Sequence, residues 1–214
     1  MNRYLSSKKN MGFTLIELMV TLAVLAIIAT LAVPSMQSFF DKRHVIEAAE
    51  DLYSNIQQAR SEAIARNQLV ALRFSENNST TWVYGISTNG ACTPTETLSD
   101  LGSGSPCVLV VDDGDGILDD GTGTIDSADV VLYRFPSTDY QNVTMDMPVM
   151  PNFNKQIAFD PTRGVLVSAM NPPELLLTSS GGYQMKVKIS QLGQVRICSP
   201  SGNNHVPGYT SNGC

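Results

Sequence analysis

Residues 18–40 form a run of 23 positions without a charge, apolar on every side. At Asp41 the pattern changes. Val45, Ala49, Leu52, Ile56, Ala59 and Ala63 recur every three or four residues, with charged and amide side chains between them. That spacing is the signature of a helix with one buried face. A single helix from Phe13 to about Asn67 accounts for both stretches, its apolar half protruding and its amphipathic half packed on a sheet. Pro34 lies inside the apolar half, where it removes one helix hydrogen bond and predicts a kink. Beyond Asn67 the period shortens. Segments 69–74, 80–87, 130–135, 155–159, 175–178, 185–190 and 194–198 are short runs rich in Val, Ile, Leu and aromatics. Turn formers such as Ser180-Gly181-Gly182 and Leu192-Gly193 separate the later ones. In Met185-Lys186-Val187-Lys188-Ile189 the alternation sends Val187 and Ile189 to the core and both lysines to solvent. No internal repeat is present. The expected class is α+β, a long N-terminal helix over an antiparallel β-sheet.

Length and charge sharpen this picture. About 20 apolar residues span a bilayer, so 18–40 is long enough to cross one. The remaining chain, about 170 residues, suits one further domain. Glu17 is awkward in this setting. It stands in Gly12-Phe13-Thr14-Leu15-Ile16-Glu17, just inside the apolar stretch and just after a basic leader containing Arg3, Lys8 and Lys9. A lone charge near a bilayer centre costs roughly 2.5–3.5 kcal/mol even on the lenient scale, so this carboxylate needs a partner from another molecule. The net charge is −6, and becomes −9 once the three basic leader residues are removed. An acidic surface argues against non-specific nucleic-acid binding. All four cysteines, Cys92, Cys107, Cys198 and Cys214, lie beyond the apolar helix. An even count in an exported domain predicts two disulfides. Of the three pairings, the local one (Cys92–Cys107 and Cys198–Cys214) is expected, since it closes a Gly/Ser/Pro-rich loop and staples the tail. Zinc is disfavoured because no Cys-x-x-Cys occurs and the two histidines, His44 and His205, stand far apart.

The Gly12-Phe13-Thr14-Leu15-Ile16-Glu17 block, preceded by lysines and followed by apolar residues, resembles the processing signal of type IV pilins and of type II secretion pseudopilins. The resemblance implies cleavage by a prepilin peptidase between Gly12 and Phe13, N-methylation of Phe13, and pairing of Glu17 with the N-terminal amine of a neighbouring subunit. Pro34 matches a position where pilin helices bend. The run Ala59-Arg60-Ser61-Glu62-Ala63-Ile64-Ala65-Arg66-Asn67 and the late strand Leu192-Gly193-Gln194-Val195-Arg196-Ile197-Cys198 resemble the GspH/FimT (FimU-like) group of minor pilins and pseudopilins. On this reading the chain divides into a leader (1–12), a transmembrane and filament-core helix (13–40), an amphipathic helix half (41–67) and a C-terminal β-rich globular domain (68–214). The implied function is that of a minor type IV pilin, a structural or priming subunit of a filament serving adhesion and twitching motility. The alternatives are a GspH-type secretion pseudopilin and a DNA-binding FimT-like pilin of natural transformation. The implied partners are other pilins, the prepilin peptidase and an inner-membrane assembly platform. The implied location is the bacterial inner membrane, single-pass with a periplasmic C-terminal domain, and then a pilus or pseudopilus.

Three other chemistries have weaker support. Asp112, Asp113, Asp115 and Asp119 cluster around glycines, as a Ca²⁺ loop requires. Aligned on Gly116 as an EF-hand, however, the first and twelfth positions are Val111 and Thr122. The pattern is broken, and an acidic hairpin with Asp-Gly turns is the plainer reading. No cofactor is expected. Nucleic-acid contact would fall on Lys186, Lys188 and Arg196, but FimT-type binders carry Gly-Arg-x-Arg, and here the segment is Gly193-Gln194-Val195-Arg196, lacking the first arginine. Catalysis has no support, since neither histidine has a Ser or Cys neighbour of triad type and no Walker loop occurs.

Overall fold

A computed structural model of the chain describes residues 12–75, 80–88, 92–101, 103–111, 129–149, 155–167 and 172–214, with the side chains of 31–35 and 149 excepted. Two compact units emerge, Met1–Phe40 and Asp41–Cys214.

Helix α1 runs from Leu15 to Arg66, 52 residues, within two residues of the expected start and one of the expected end. Thr14 opens it by accepting the backbone N–H of Glu17 on its hydroxyl at 3.3 Å, an N-cap. Asn67, in the left-handed region at φ 51°, closes it. The Gln68 N–H then returns to the Ala63 carbonyl at 3.2 Å, satisfying an orphan acceptor of the last turn. The backbone stays helical through Pro34.

In the second unit, all six residues of the predicted stripe are fully buried, and Ala48 joins them. Four of those seven are alanines, which lets the helix backbone approach its neighbours closely. Those neighbours are two sheets, where the sequence suggested one. The first is built from β1 (Val70–Phe74), β2 (Val83–Ser87), β5 (Arg134–Pro136) and β7 (Gln156–Phe159), antiparallel in the order β5-β2-β1-β7. The second is built from β6 (Thr144–Val149), β8 (Glu174–Thr178), β9 (Gln184–Ile189) and β10 (Val195–Cys198), in the order β10-β9-β8-β6. A ribbon of β3 (Val108–Val110) and β4 (Val130–Leu132) adds two strands. Leu72, Tyr84 and Ile157 from the first sheet and Leu177, Met185 and Val187 from the second share one continuous apolar core with the α1 stripe.

Strand β2 departs from alternation because all five of its residues are buried. Its outer face is covered too. Gly85 lies under the disulfide loop, and a Cβ there would come within 2.6 Å of the Cys107 Sγ and 2.8 Å of the Tyr133 carbonyl oxygen. Only glycine fits.

Candidate functional site

The N-terminal block is laid out as an exposed helix entry. Gly12, Phe13 and Glu17 are all exposed, Phe13 to 83%. Thr14-Leu15-Ile16-Glu17 also spells the Thr-x-x-Glu of a capping box, in which the Glu would return a bond to the cap N–H. Only the threonine half of that box is made. Among the described residues the Glu17 carboxylate has no hydrogen bond or ion pair.

Around it lies unburied apolar surface. Fourteen of the twenty exposed large hydrophobics among the described residues fall between Phe13 and Phe40. Exposed apolar surface of that extent on one element is characteristic of an interaction site. Among the described residues no helix is long and apolar enough to cross a membrane. The apolar run expected to do so continues through 31–35, whose side chains lie outside them.

The two disulfides are those expected from local pairing. Cys92 and Cys107 stand 4.9 Å apart at Cα, and Cys198 and Cys214 stand 5.6 Å apart. The first fastens a loop over the outer face of the first sheet. The second ties the tail beside β9 and β10, where the Lys188 ammonium donates to the Gly213 carbonyl at 3.0 Å. Earlier in the tail, the Tyr209 hydroxyl donates to Glu50 on α1 at 2.5 Å. Burial and that carboxylate together push the Tyr209 phenol up to about 12.

The strand lysines require a correction. Met185, Val187 and Ile189 do point into the core, but Lys186 and Lys188 are not free in solvent. Lys186 lies 3.3 Å and Lys188 2.9 Å from the Glu174 carboxylate, with side-chain exposures of 18% and 33%. The hydrogen bond from Lys188 is the main reason the Glu174 carboxyl sits below its ordinary range. Strand pairing causes this, since Glu174 stands directly across from Lys188 in the β8–β9 register. One carboxylate thus faces two ammonium groups. The suggested basic patch shrinks largely to Arg196, exposed on β10 opposite Lys188. Nothing in residues 174–198 read one by one identifies Glu174 as the neutralising group, because register is not written in a single strand.

Sequence reading also misses a polar cluster under β2. Tyr140 donates to Asp51 at 2.9 Å, and Asn55 donates to the Tyr84 hydroxyl at 2.9 Å. Desolvation is the leading cause that drives both phenols far above their ordinary pKa. They are fixed neutral hydrogen-bonding groups that join α1 to the sheet.

The aspartates 112, 113, 115 and 119 lie outside the described residues. Among the described residues no group of three or more His, Cys, Asp or Glu could hold a metal ion.

Comparison with known proteins fits this layout. Residues 48–193 match the family described as type II transport protein GspH, and residues 7–33 match the prokaryotic N-terminal methylation motif. The pilin-like protein PilA1 of Thermus thermophilus is 26% identical over 187 residues, covering 87% of this chain and 97% of that protein. Among solved structures, the type IV minor pilin FimU of Pseudomonas aeruginosa is 17% identical with a TM-score of 0.44, over 80% of this chain and 98% of that one. The minor pseudopilin EpsH of the type 2 secretion system of Vibrio cholerae is 12% identical with a TM-score of 0.41, over 74% and 99%.

Proposed function

This chain belongs to the GspH family of type II transport proteins, and from that premise we propose that it works as a minor pilin, a structural subunit drawn from the inner membrane into a pilus. The observation that carries the reading is the union of two features on one helix. An N-terminal methylation motif over 7–33 feeds α1, and the far half of α1 is the core of a GspH domain over 48–193.

The chemistry follows from the helix end. Cutting between Gly12 and Phe13, the work of a prepilin peptidase, would create an ammonium or methylammonium two residues before the first helical residue. The N-terminus of a helix already carries about half a positive charge, so a cation placed there is electrostatically uncomfortable. A carboxylate from an adjacent subunit relieves it. Glu17 is such a carboxylate, in the first turn of its own helix and without a partner among the described residues. In low dielectric a lone charge is far more costly than a paired one. Each incoming subunit, delivered by an inner-membrane assembly platform, therefore settles at the axial position where Glu17 meets a neighbour's amine. The exposed side chains between Phe13 and Phe40 supply the apolar contact, with lipid before assembly and with other pilins afterwards.

A second reading, a pseudopilin serving protein export, is favoured by the family's description as a transport protein. It uses the same helix end in the same way.

Two measurements test the proposal. Mass spectrometry of the protein extracted from membranes should give an N-terminus at Phe13 bearing one methyl group. Replacing Glu17 with Val should abolish incorporation into filaments while the globular part stays folded. An intact Met1 start, or normal incorporation of the Val variant, defeats the proposal.

A further inference from the structure

The face of the first sheet turned away from α1 carries a row of residues set by strand register. Arg73 stands opposite Gly85 on one side and Gln156 on the other, and Gly85 stands opposite Arg134. Leu72 and Phe74, the neighbours of Arg73 along β1, are buried in the core, so strand alternation sends Arg73 to the opposite face. Gly85 contributes no side chain, and Cys107 occupies the space above it. Its disulfide to Cys92 brings the following residues over the sheet, and Arg134 holds them by donating to the Pro94 carbonyl at 3.0 Å.

Between that loop and the sheet lies an open cleft of about 330 Å³, lined by Arg73, Ser75, Thr93, Thr95 and Lys155 among others. The polar side chains of this set are hydrogen-bond donors: a guanidinium, an ammonium and three hydroxyls. Among the described residues lining the cleft, none is acidic. Lys155 donates one proton to the Ser75 carbonyl at 3.0 Å, which leaves two more. Arg73 makes no hydrogen bond or ion pair among the described residues. In a chain with 20 acidic and 14 basic side chains, two half-buried cations sharing a cleft with no acid among its described lining residues is an unusual placement. An oxyanion seated between them would be attracted by both charges.

We propose that this cleft binds a single oxyanion group of the carboxylate or phosphate class, held mainly by Arg73 and secondarily by Lys155. The guanidinium offers two parallel N–H groups to two oxygens of one anion. Lys155 adds a point charge, and the hydroxyls of Thr93 and Thr95 complete the donor set. The disulfide loop forms one wall, so the site exists only in the oxidised protein. The inference rests on the outer face of the sheet and does not depend on the filament reading.

The test uses the full chain with both disulfides formed, in non-ionic detergent, by isothermal titration calorimetry at ionic strength fixed with sodium chloride. Inorganic phosphate, citrate and a tetra-aspartate peptide are titrated separately into the native protein, Arg73→Gln and Arg73→Lys. Saturable binding of at least one of them is expected, weakened about tenfold or more by Arg73→Gln and less by Arg73→Lys, which keeps the charge and loses the fork. Binding of phosphate or citrate without the peptide identifies a free small anion, and binding of the peptide identifies an acidic chain. Should Arg73→Gln fail to fold, Lys155→Gln is read by the same criterion. Absence of saturable binding by all three probes, or equal affinities in native and neutralised proteins, overturns the proposal.

Discussion

Replacing Glu174 with Gln removes one negative charge from between two lysines and keeps the shape of the side chain. The native contacts are 3.3 Å to Lys186 and 2.9 Å to Lys188, with Glu174 itself 23% exposed. An exposed pair contributes about 0.2–1 kcal/mol, and these partly covered pairs belong at the upper end. The two together are worth about 1–2 kcal/mol. In a folded unit of this size each kcal/mol moves the melting temperature by about 2–4 °C, so Glu174→Gln should melt roughly 2–8 °C below the native protein at pH 7. The pH dependence fixes the cause. Folding holds the Glu174 carboxyl below its ordinary value of 4.5, so the native state favours the charged form. Its contribution is complete above that ordinary value and disappears as pH falls through the lower folded-state value. The gap between native and variant proteins should therefore be constant from pH 7 to about pH 5 and close below pH 4.5. Differential scanning calorimetry of both proteins across that range is the assay. Identical melting at pH 7, or a gap undiminished at pH 3, would refute the assignment of Glu174 as the neutralising partner.

Other outcomes follow from separate parts of the fold. Gly85→Ala should lower stability by about 1–3 kcal/mol or more, because the new methyl meets a carbonyl and a disulfide, neither of which can rotate aside; chemical denaturation monitored by Trp82 fluorescence measures it. Tyr209→Phe deletes the bond to Glu50 and should cost about 1 kcal/mol at neutral pH. The native phenol, raised to about 12, favours its neutral form in the fold, so its contribution is complete below about pH 10 and is lost as pH rises through 12. Thermal melts at pH 8 and pH 11.5 should show the difference between native and Phe variant narrowing at the higher pH.

Much of this is readable from residues alone, for identifiable reasons. The α1 stripe from Val45 to Ala63 is local information, since a period near 3.6 needs no knowledge of what covers it. The same holds for the alternation at Met185, Val187 and Ile189. The local cysteine pairing is legible because each loop is short. Pairing between strands is a different matter. Division into two sheets, and the meeting of Glu174 with both lysines, depend on which strand lies beside which. Strand β6 escapes sequence reading because Pro148 speaks against a strand. It is tolerated because β6 is the edge of its sheet, next to a register shift between Asp146 and Val149. Strand β3 is three residues long and lies beside the Cys92–Cys107 link. The cleft at Arg73 is invisible for the same reason as Glu174: its two cations, 82 positions apart in the chain, meet only through the β1–β7 pairing.

The sharing of one helical stripe by both sheets has a consequence for how the domain comes apart. Neither sheet owns an interior. Both share one continuous core with Val45, Leu52, Ile56 and their alanine neighbours, so detaching either one opens that core to water. Half-assembled forms are penalised on both counts, and the Asp41–Cys214 unit should melt in one all-or-none step, with calorimetric and van't Hoff enthalpies equal.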